Sequence, residues 1–385
     1  MKLKQLFFFL LVLSPLLLNA AKLDIGIFHS MEKNEITFTS ITGKYAVIGN
    51  QTIISNVLKN NSVRIAIFQD SLLNFYQNDT LIGQYQEIRF SGKGFINDFS
   101  IKIENSPTKL REYDDDLIVR IYNNKMQLIN HVDIENYTAG VVQSEALGSS
   151  TDLQFFFVQA ITCRTYALVN YLKHAEEGFN LCDDIHCQSY SSRCHHADIT
   201  RATARTSGEV IVDEDNRMIS AAFHSNCGGQ TVNSEDVWTI ETSYLKSIRD
   251  TFCTHESNAH WEYAMKKEDW LHFLKEKYNY PIEDKKMQTL ACTYVQNKRK
   301  VFFENGIPLK QIRHDLHLRS TFFSLEQKGD SVLFHGRGYG HGVGLCQQGA
   351  IKMANDGLNY KDIISFYYSN TSIIHYSQLH YDFMP

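Results

Sequence analysis

From Phe334 to Ala350 the chain reads Phe-His-Gly-Arg-Gly-Tyr-Gly-His-Gly-Val-Gly-Leu-Cys-Gln-Gln-Gly-Ala, with glycine at 336, 338, 340, 342 and 344. A two-residue period belongs to extended chain rather than helix. Such a strand carries no side chains on one face and Arg337, Tyr339, His341 and Val343 on the other. Glycine in a strand costs chain entropy and packs nothing, so the run implies that something approaches this backbone closely. The plainer reading is a glycine-rich loop or a crowded crossing without chemistry.

The rest of the chain can be divided around this run. Lys2 and Lys4 precede an apolar stretch from Phe7 to Leu18, followed by the small pair Ala20-Ala21. Residues 1–21 are therefore predicted to be a secretory signal, which places the protein in the periplasm or cell envelope. The stretch is short for a membrane span, and no later segment resembles one. Residues 22–112 hold short alternating runs such as Ile36-Thr37-Phe38-Thr39 and Phe99-Ser100-Ile101-Lys102-Ile103, separated by Gly and Asn turns. They are predicted to be a small β-rich accessory region. Residues 113–385 form the main domain. The expected class is α+β, a mixed sheet with packed helices forming a cleft. A net charge of −5 argues against nucleic acid as a partner. In an exported chain several of the eight cysteines are expected to pair.

Within the main domain, Leu117–Tyr122, Asn123-Asn124 and Met126–Asn130 predict a hairpin. A helix is expected to start around Ser149 to Thr151, with Leu153, Phe156, Phe157, Ala160, Ala167, Leu168 and Tyr171 as its apolar stripe. Arg164 falls on that stripe, so it is either a structural clamp or a ligand contact. From His174 to His196 come His174, Cys182, His186, Cys187, Cys194, His195 and His196. Thiolate and imidazole suit zinc, but a disulfide among these cysteines and ordinary loop histidines are equally open readings. Gly208–Val212 and Met218–Phe223 read as a second hairpin, ending in His224-Ser225-Asn226-Cys227-Gly228-Gly229. Residues 258–277 read as a helix-rich insert whose tryptophans pack a core. A final helix is expected near Lys361 to Tyr368.

Four of these segments, in order, resemble the stage II sporulation protein D (SpoIID/LytB) family. They are Val132 to Glu145; Gln159 to Leu168; His224 to Trp238; and the glycine run with Met353-Ala354, Gly357, Tyr360 and Ile364 to Tyr368. The resemblance implies a lytic transglycosylase. Such an enzyme cuts the MurNAc–GlcNAc bond of peptidoglycan, in peptide-free strands, and leaves anhydro-muramic ends. Glu145 stands where the family has its proposed catalytic glutamate. Ordinary glycosidases need two carboxylates. Here the sugar's own hydroxyl attacks, so one acid can donate a proton and then withdraw one. Arg164, Gln188, Ser225, Tyr339, His341 and Gln347 are then expected to line the glycan cleft. His174, Cys182 and Cys187, before Gln188-Ser189-Tyr190, match in type the residues with which some members hold a structural zinc. The family name also covers LytB, so a non-catalytic glycan-binding enhancer of a cell-wall amidase is the alternative.

Overall fold

A computed structural model describes residues 21–379 apart from 70, 147, 151 and 239. The expected signal lies almost wholly outside these residues. Thirteen strands lead the chain up to and around the first helices: β1 (Lys22–Ile27), β2 (Glu35–Thr42), β3 (Tyr45–Gly49), β4 (Thr52–Val57), β5 (Ser62–Phe68), β6 (Leu72–Gln77), β7 (Thr80–Tyr85), β8 (Glu87–Gly92), β9 (Asp98–Ile103), β10 (Arg111–Asp114), β11 (Asp116–Tyr122), β12 (Lys125–Asp133) and β13 (Leu181–Cys182). They form two sheets, ordered β13-β1-β12-β11-β8-β3-β4 and β10-β9-β2-β5-β6-β7. The first is mixed, because β1 pairs parallel with β13 and antiparallel with β12. The inner faces interdigitate through aromatics: Phe38 of β2 stacks on Phe90 of β8 with centroids 4.0 Å apart. The α+β class and the β-rich N-terminal region are as expected.

Residue 112 is not a break in packing. β1, β3, β4 and β8 share one sheet with β11 and β12, and a single apolar core runs from Ala21 to Tyr368. Alternation identifies strands but says nothing about which strand pairs with which. The β11–β12 hairpin is as predicted, and Asn123 and Asn124 take φ of 48° and 62° at its two-residue turn.

Helix α1 (Ile134–Ala146) leaves β12 directly and packs on α2 (Leu153–Val169) and α3 (Ala197–Arg205). Asp152 caps α2 by accepting from Gln154 N at 2.7 Å. Helix α2 is buried on almost every side rather than along one stripe, as suits the central helix of a core.

The second predicted hairpin closes only over its first residues: Asp213 N donates to Arg217 O at 2.9 Å and Ile219 N to Ile211 O at 3.1 Å, with a bridge between Val212 and Met218. The full length of β14 (Glu209–Val212) pairs with the C-terminal strand Ser372–His375. β15 (Phe223–His224) pairs in parallel with Leu345–Cys346. The insert begins with a strand, β16 (His260–Lys266), before its helix Lys267–Tyr278, and pairs with β18 (Ser331–Arg337), which also pairs with β17 (Phe323–Lys328). Trp261 and Trp270 pack a second core of their own there, as expected of them. The C-terminal helix spans Tyr360–Tyr367. Among the described residues, no helix is long and apolar enough to cross a membrane.

Candidate functional site

The glycine run is a strand only up to Arg337. Beyond it Gly338, Gly340, Gly342 and Gly344 all have positive φ, between 70° and 112°. Alternating ordinary and left-handed residues gives a curled path with the same two-residue period as a strand, which is why spacing misreads it. The inferred close approach is real, but the visitor is the protein's own backbone. A Cβ on Gly338 would stand 2.6 Å from Asn226 O, and one on Gly344 2.2 Å from Ala222 O. Tyr339 exchanges backbone hydrogen bonds with Asn226, and Leu345 N donates to Ala222 O at 3.0 Å.

His341 is locked by this packing. Its Nε2 donates to Phe223 O at 3.0 Å, while Nδ1 accepts from Val343 N at 3.1 Å. Burial pushes its pKa down from 6.5 to about 4, so the ring is neutral. Beside it, His224 donates from Nδ1 to Val343 O at 3.1 Å, and burial holds it well below the usual histidine range. An unfolded histidine takes its proton near pH 6.5, the folded His341 near 4. Between those values the unfolded chain binds more protons, so stability falls as pH falls through that window. The expected loss from His341 is at most about 3 kcal/mol. Urea midpoints measured from pH 7 to 4 check it, and His341→Gln should flatten the slope.

Around His341 lie exposed aromatics. Tyr339 is 45% exposed and Trp238 is 42% exposed. The Trp238 ring sits 5.2 Å from that of His341, and the Arg319 guanidinium 5.7 Å from that of Tyr339. Ser225 Oγ accepts from Asn258 Nδ2 at 2.9 Å. Gln347 opens the helix Gln347–Asn355, and its buried Nε2 has no partner among the described residues; the same is true of His224 Nε2.

A second group gathers at the end of α1. Glu145 is half-buried in the last turn of that helix. Its Oε1 accepts from Ser189 N at 3.0 Å. The neighbouring α1 side chains hold the same loop, since Ser191 N donates to Ser144 Oγ at 3.0 Å and Gln143 Nε2 donates to Arg193 O at 3.0 Å. Gln188 is buried; its Oε1 accepts from Tyr137 Oη at 3.3 Å, and its side chain lies against the Cys163 thiol. Among the described residues, no cation pairs with Glu145, and no hydrogen bond, ion pair or ring contact joins it to Ser225, Tyr339, His341 or Gln347.

Arg164 is not a ligand contact. It is fully buried, with Nε donating to Glu135 Oε1 at 2.9 Å and Nη2 to Glu135 Oε2 at 2.5 Å. Its Nη1 donates to Glu209 O at 3.0 Å. Every nitrogen is engaged by α1, α3 or β14, which is the clamp reading.

The loop that pins Glu145 also carries the expected metal donors. Side-chain donor atoms of His174, Cys182, His186 and Cys187 lie within 4.8 Å of one another. Cys187 Sγ is 3.4 Å from His174 Nε2, and His186 Nδ1 is 3.8 Å from both sulfurs. Glu177 Oε1 holds His174 Nδ1 at 2.6 Å, the carboxylate–histidine pairing typical behind a zinc ligand. Sequence spacing missed Glu177 as a support and left His186 undistinguished among its neighbours. All eight cysteines are free thiols, against the expectation that several pair.

A basic cleft lies elsewhere, a cavity of about 660 Å³ lined by Gly228, Gln230, Arg249, His260, Lys298 and Arg337 among others. None of the residues expected to line a glycan cleft borders it.

Comparison with known proteins now adds to this geometry. Residues 122–212 match the SpoIID family, described as stage II sporulation protein. The match spans Glu145, Arg164 and all four donors of the metal loop. The chain is 27% identical over 283 residues to an uncharacterised protein of Brachyspira hyodysenteriae, covering 71% of this chain and 75% of that one. It is 27% identical over 274 residues to stage II sporulation protein D of Bacillus subtilis, covering 66% and 78%. It is also 22% identical over 293 residues to a Bacillus subtilis protein named amidase enhancer, covering 62% of this chain but 40% of that one.

Proposed function

Because this chain belongs to the stage II sporulation protein D family, we propose that it acts on the cell wall as a lytic transglycosylase. It cleaves the MurNAc–GlcNAc bond of peptide-free peptidoglycan strands, with Glu145 as general acid and then general base. The observation that supports this most is how Glu145 is held. One oxygen is fixed by Ser189 N, and Oε2 has no partner among the described residues.

The step needs no second carboxylate. Oε2 of protonated Glu145 gives its proton to the glycosidic oxygen as that bond breaks. The muramic hydroxyl attacks the anomeric carbon, and Glu145 takes the hydroxyl proton, which regenerates the acid. Tyr339 and Trp238 offer exposed ring faces for sugars to lie against. The test is to incubate the purified protein, alone, with peptide-free glycan strands and analyse the products by mass. Anhydro-muramic ends are expected. The amidase enhancer relative favours a second reading, a glycan-binding enhancer of an amidase in the cell envelope. Binding without any anhydro product, together with a faster partner amidase, selects that reading.

The metal loop fits zinc by the chemistry of its donors, two thiolates and two imidazoles with a carboxylate behind one of them. His174, Cys182, His186 and Cys187 would hold it, and an ion there would be structural, steadying the segment whose Ser189 N–H pins Glu145. Chelation is therefore expected to lower the melting temperature and activity together, and Glu177→Gln to weaken zinc binding about 10–100-fold. Metal analysis and a competitive chelator titration check both.

A further inference from the structure

Three cysteines far apart in the chain, Cys227, Cys253 and Cys346, converge with Asp250 in the interior. All four are fully buried. Their donor atoms lie within 4.8 Å of one another, with Cys227 Sγ 3.3 Å from both Cys253 Sγ and Asp250 Oδ2. We infer that this cluster is a second metal site, which takes a thiophilic divalent cation, zinc foremost, through three thiolates and one carboxylate.

The spacing separates this reading from a disulfide. Four donors around a tetrahedral zinc with Zn–S near 2.3 Å are about 3.8 Å apart along each edge. A disulfide needs its sulfurs at about 2.05 Å and uses only two of the four groups. It would also leave Asp250 as it stands, a buried carboxylate whose partners among the described residues are the Cys227 thiol, Tyr367 Oη and Phe252 N, with no cation. A buried charge calls for a counter-charge, and a bound cation supplies it. The nearby guanidinium of Arg299 does not, since it donates to the carbonyls of Cys227 at 2.7 Å and Gln230 at 2.7 Å.

The surroundings are built like those of a ligand shell. Asp250 is oriented by Tyr367 Oη, which donates to Oδ2 at 2.9 Å, and by Phe252 N, which donates to Oδ1 at 2.9 Å. Cys346 Sγ accepts from Cys227 N at 3.3 Å and Gly349 N at 3.4 Å. Three thiolates and a carboxylate carry the same charge as the four thiolates of a Cys₄ structural zinc site. The ion would tie the turn after β15, the loop at 250–253 and the start of the helix Gln347–Asn355, and so fix the glycine run against its partner segment. None of this depends on the glycan chemistry.

The test uses the full chain purified without reductant or chelator. The Cys182→Ser/Cys187→Ser variant, which lacks the thiolates of the metal loop, is expected to retain about one zinc per chain by elemental analysis. Adding Cys253→Ser should remove it. Cobalt loaded into the double variant should give tetrahedral and thiolate charge-transfer absorption, and Asp250→Asn should weaken its binding. A measurement on the unaltered protein guards against variants that fail to fold. Alkylation mapped by mass spectrometry should label Cys227, Cys253 and Cys346 only after chelator is added. Labelling that ignores the chelator overturns the site, and so does recovery of a Cys227–Cys253 disulfide from protein trapped before reduction.

Discussion

Glu145→Gln is expected to cut the release of anhydro-muramic ends by roughly 10²–10⁴-fold, the range of a lost general acid–base group. The amide has almost the shape of the carboxyl, and its oxygen can still accept from Ser189 N. It cannot give up or take the proton that the glycosidic oxygen and the attacking hydroxyl exchange. Stability should therefore hold within about 0.5 kcal/mol in urea. The two readouts together assign the effect to chemistry rather than folding. A variant that still released anhydro ends at the parent rate would remove Glu145 from the mechanism. One that lost activity along with its fold would be uninformative, so the carboxamide is preferred to alanine.

The largest stability effect is expected at Arg164. Arg164→Met should cost on the order of 3–5 kcal/mol, because it strands Glu135 and the Glu209 carbonyl around the fully buried position of the guanidinium. The side chain of Glu135 is 22% exposed, which allows partial relief by solvent and places the cost towards the lower end. Removing both charges, as Arg164→Met with Glu135→Gln, should recover part of the loss, since what hurts most is the uncompensated partner. Urea midpoints across that cycle measure the coupling. The folded fraction of Arg164→Met should turn over glycan normally. Unchanged stability with lost activity would return Arg164 to the cleft.

These residues also show what could be read in advance. Arg164 on an apolar stripe signalled a buried charge, because burial without a partner is too costly to tolerate; its partner could not be named, since Glu135 lies 29 positions away on another helix. The Asn123-Asn124 turn was legible because its positive φ angles suit asparagine and the pairing it sets is local. The cluster of Cys and His between 174 and 196 was visible as composition, and three of its four donors were named. Glu177, which orients one of them, carries no pattern. Cys227, Cys253 and Cys346 are marked in the sequence only as members of the eight cysteines of an exported chain, and nothing marks Asp250.

By itself the sequence determined local states: strands from alternation and helices from caps and apolar period; Glu145 stood out only through the family resemblance, and the Cys/His cluster only as composition. Those properties arise from each residue's own backbone preferences and near neighbours. Only the tertiary structure decided that the glycine run curls onto residues 222–228, that the N-terminal strands share a sheet with β11 and β12, and that three cysteines meet around Asp250. Such contacts join segments well separated in the chain, and whether they form depends on the free energy of burying whole surfaces together, which no local pattern encodes.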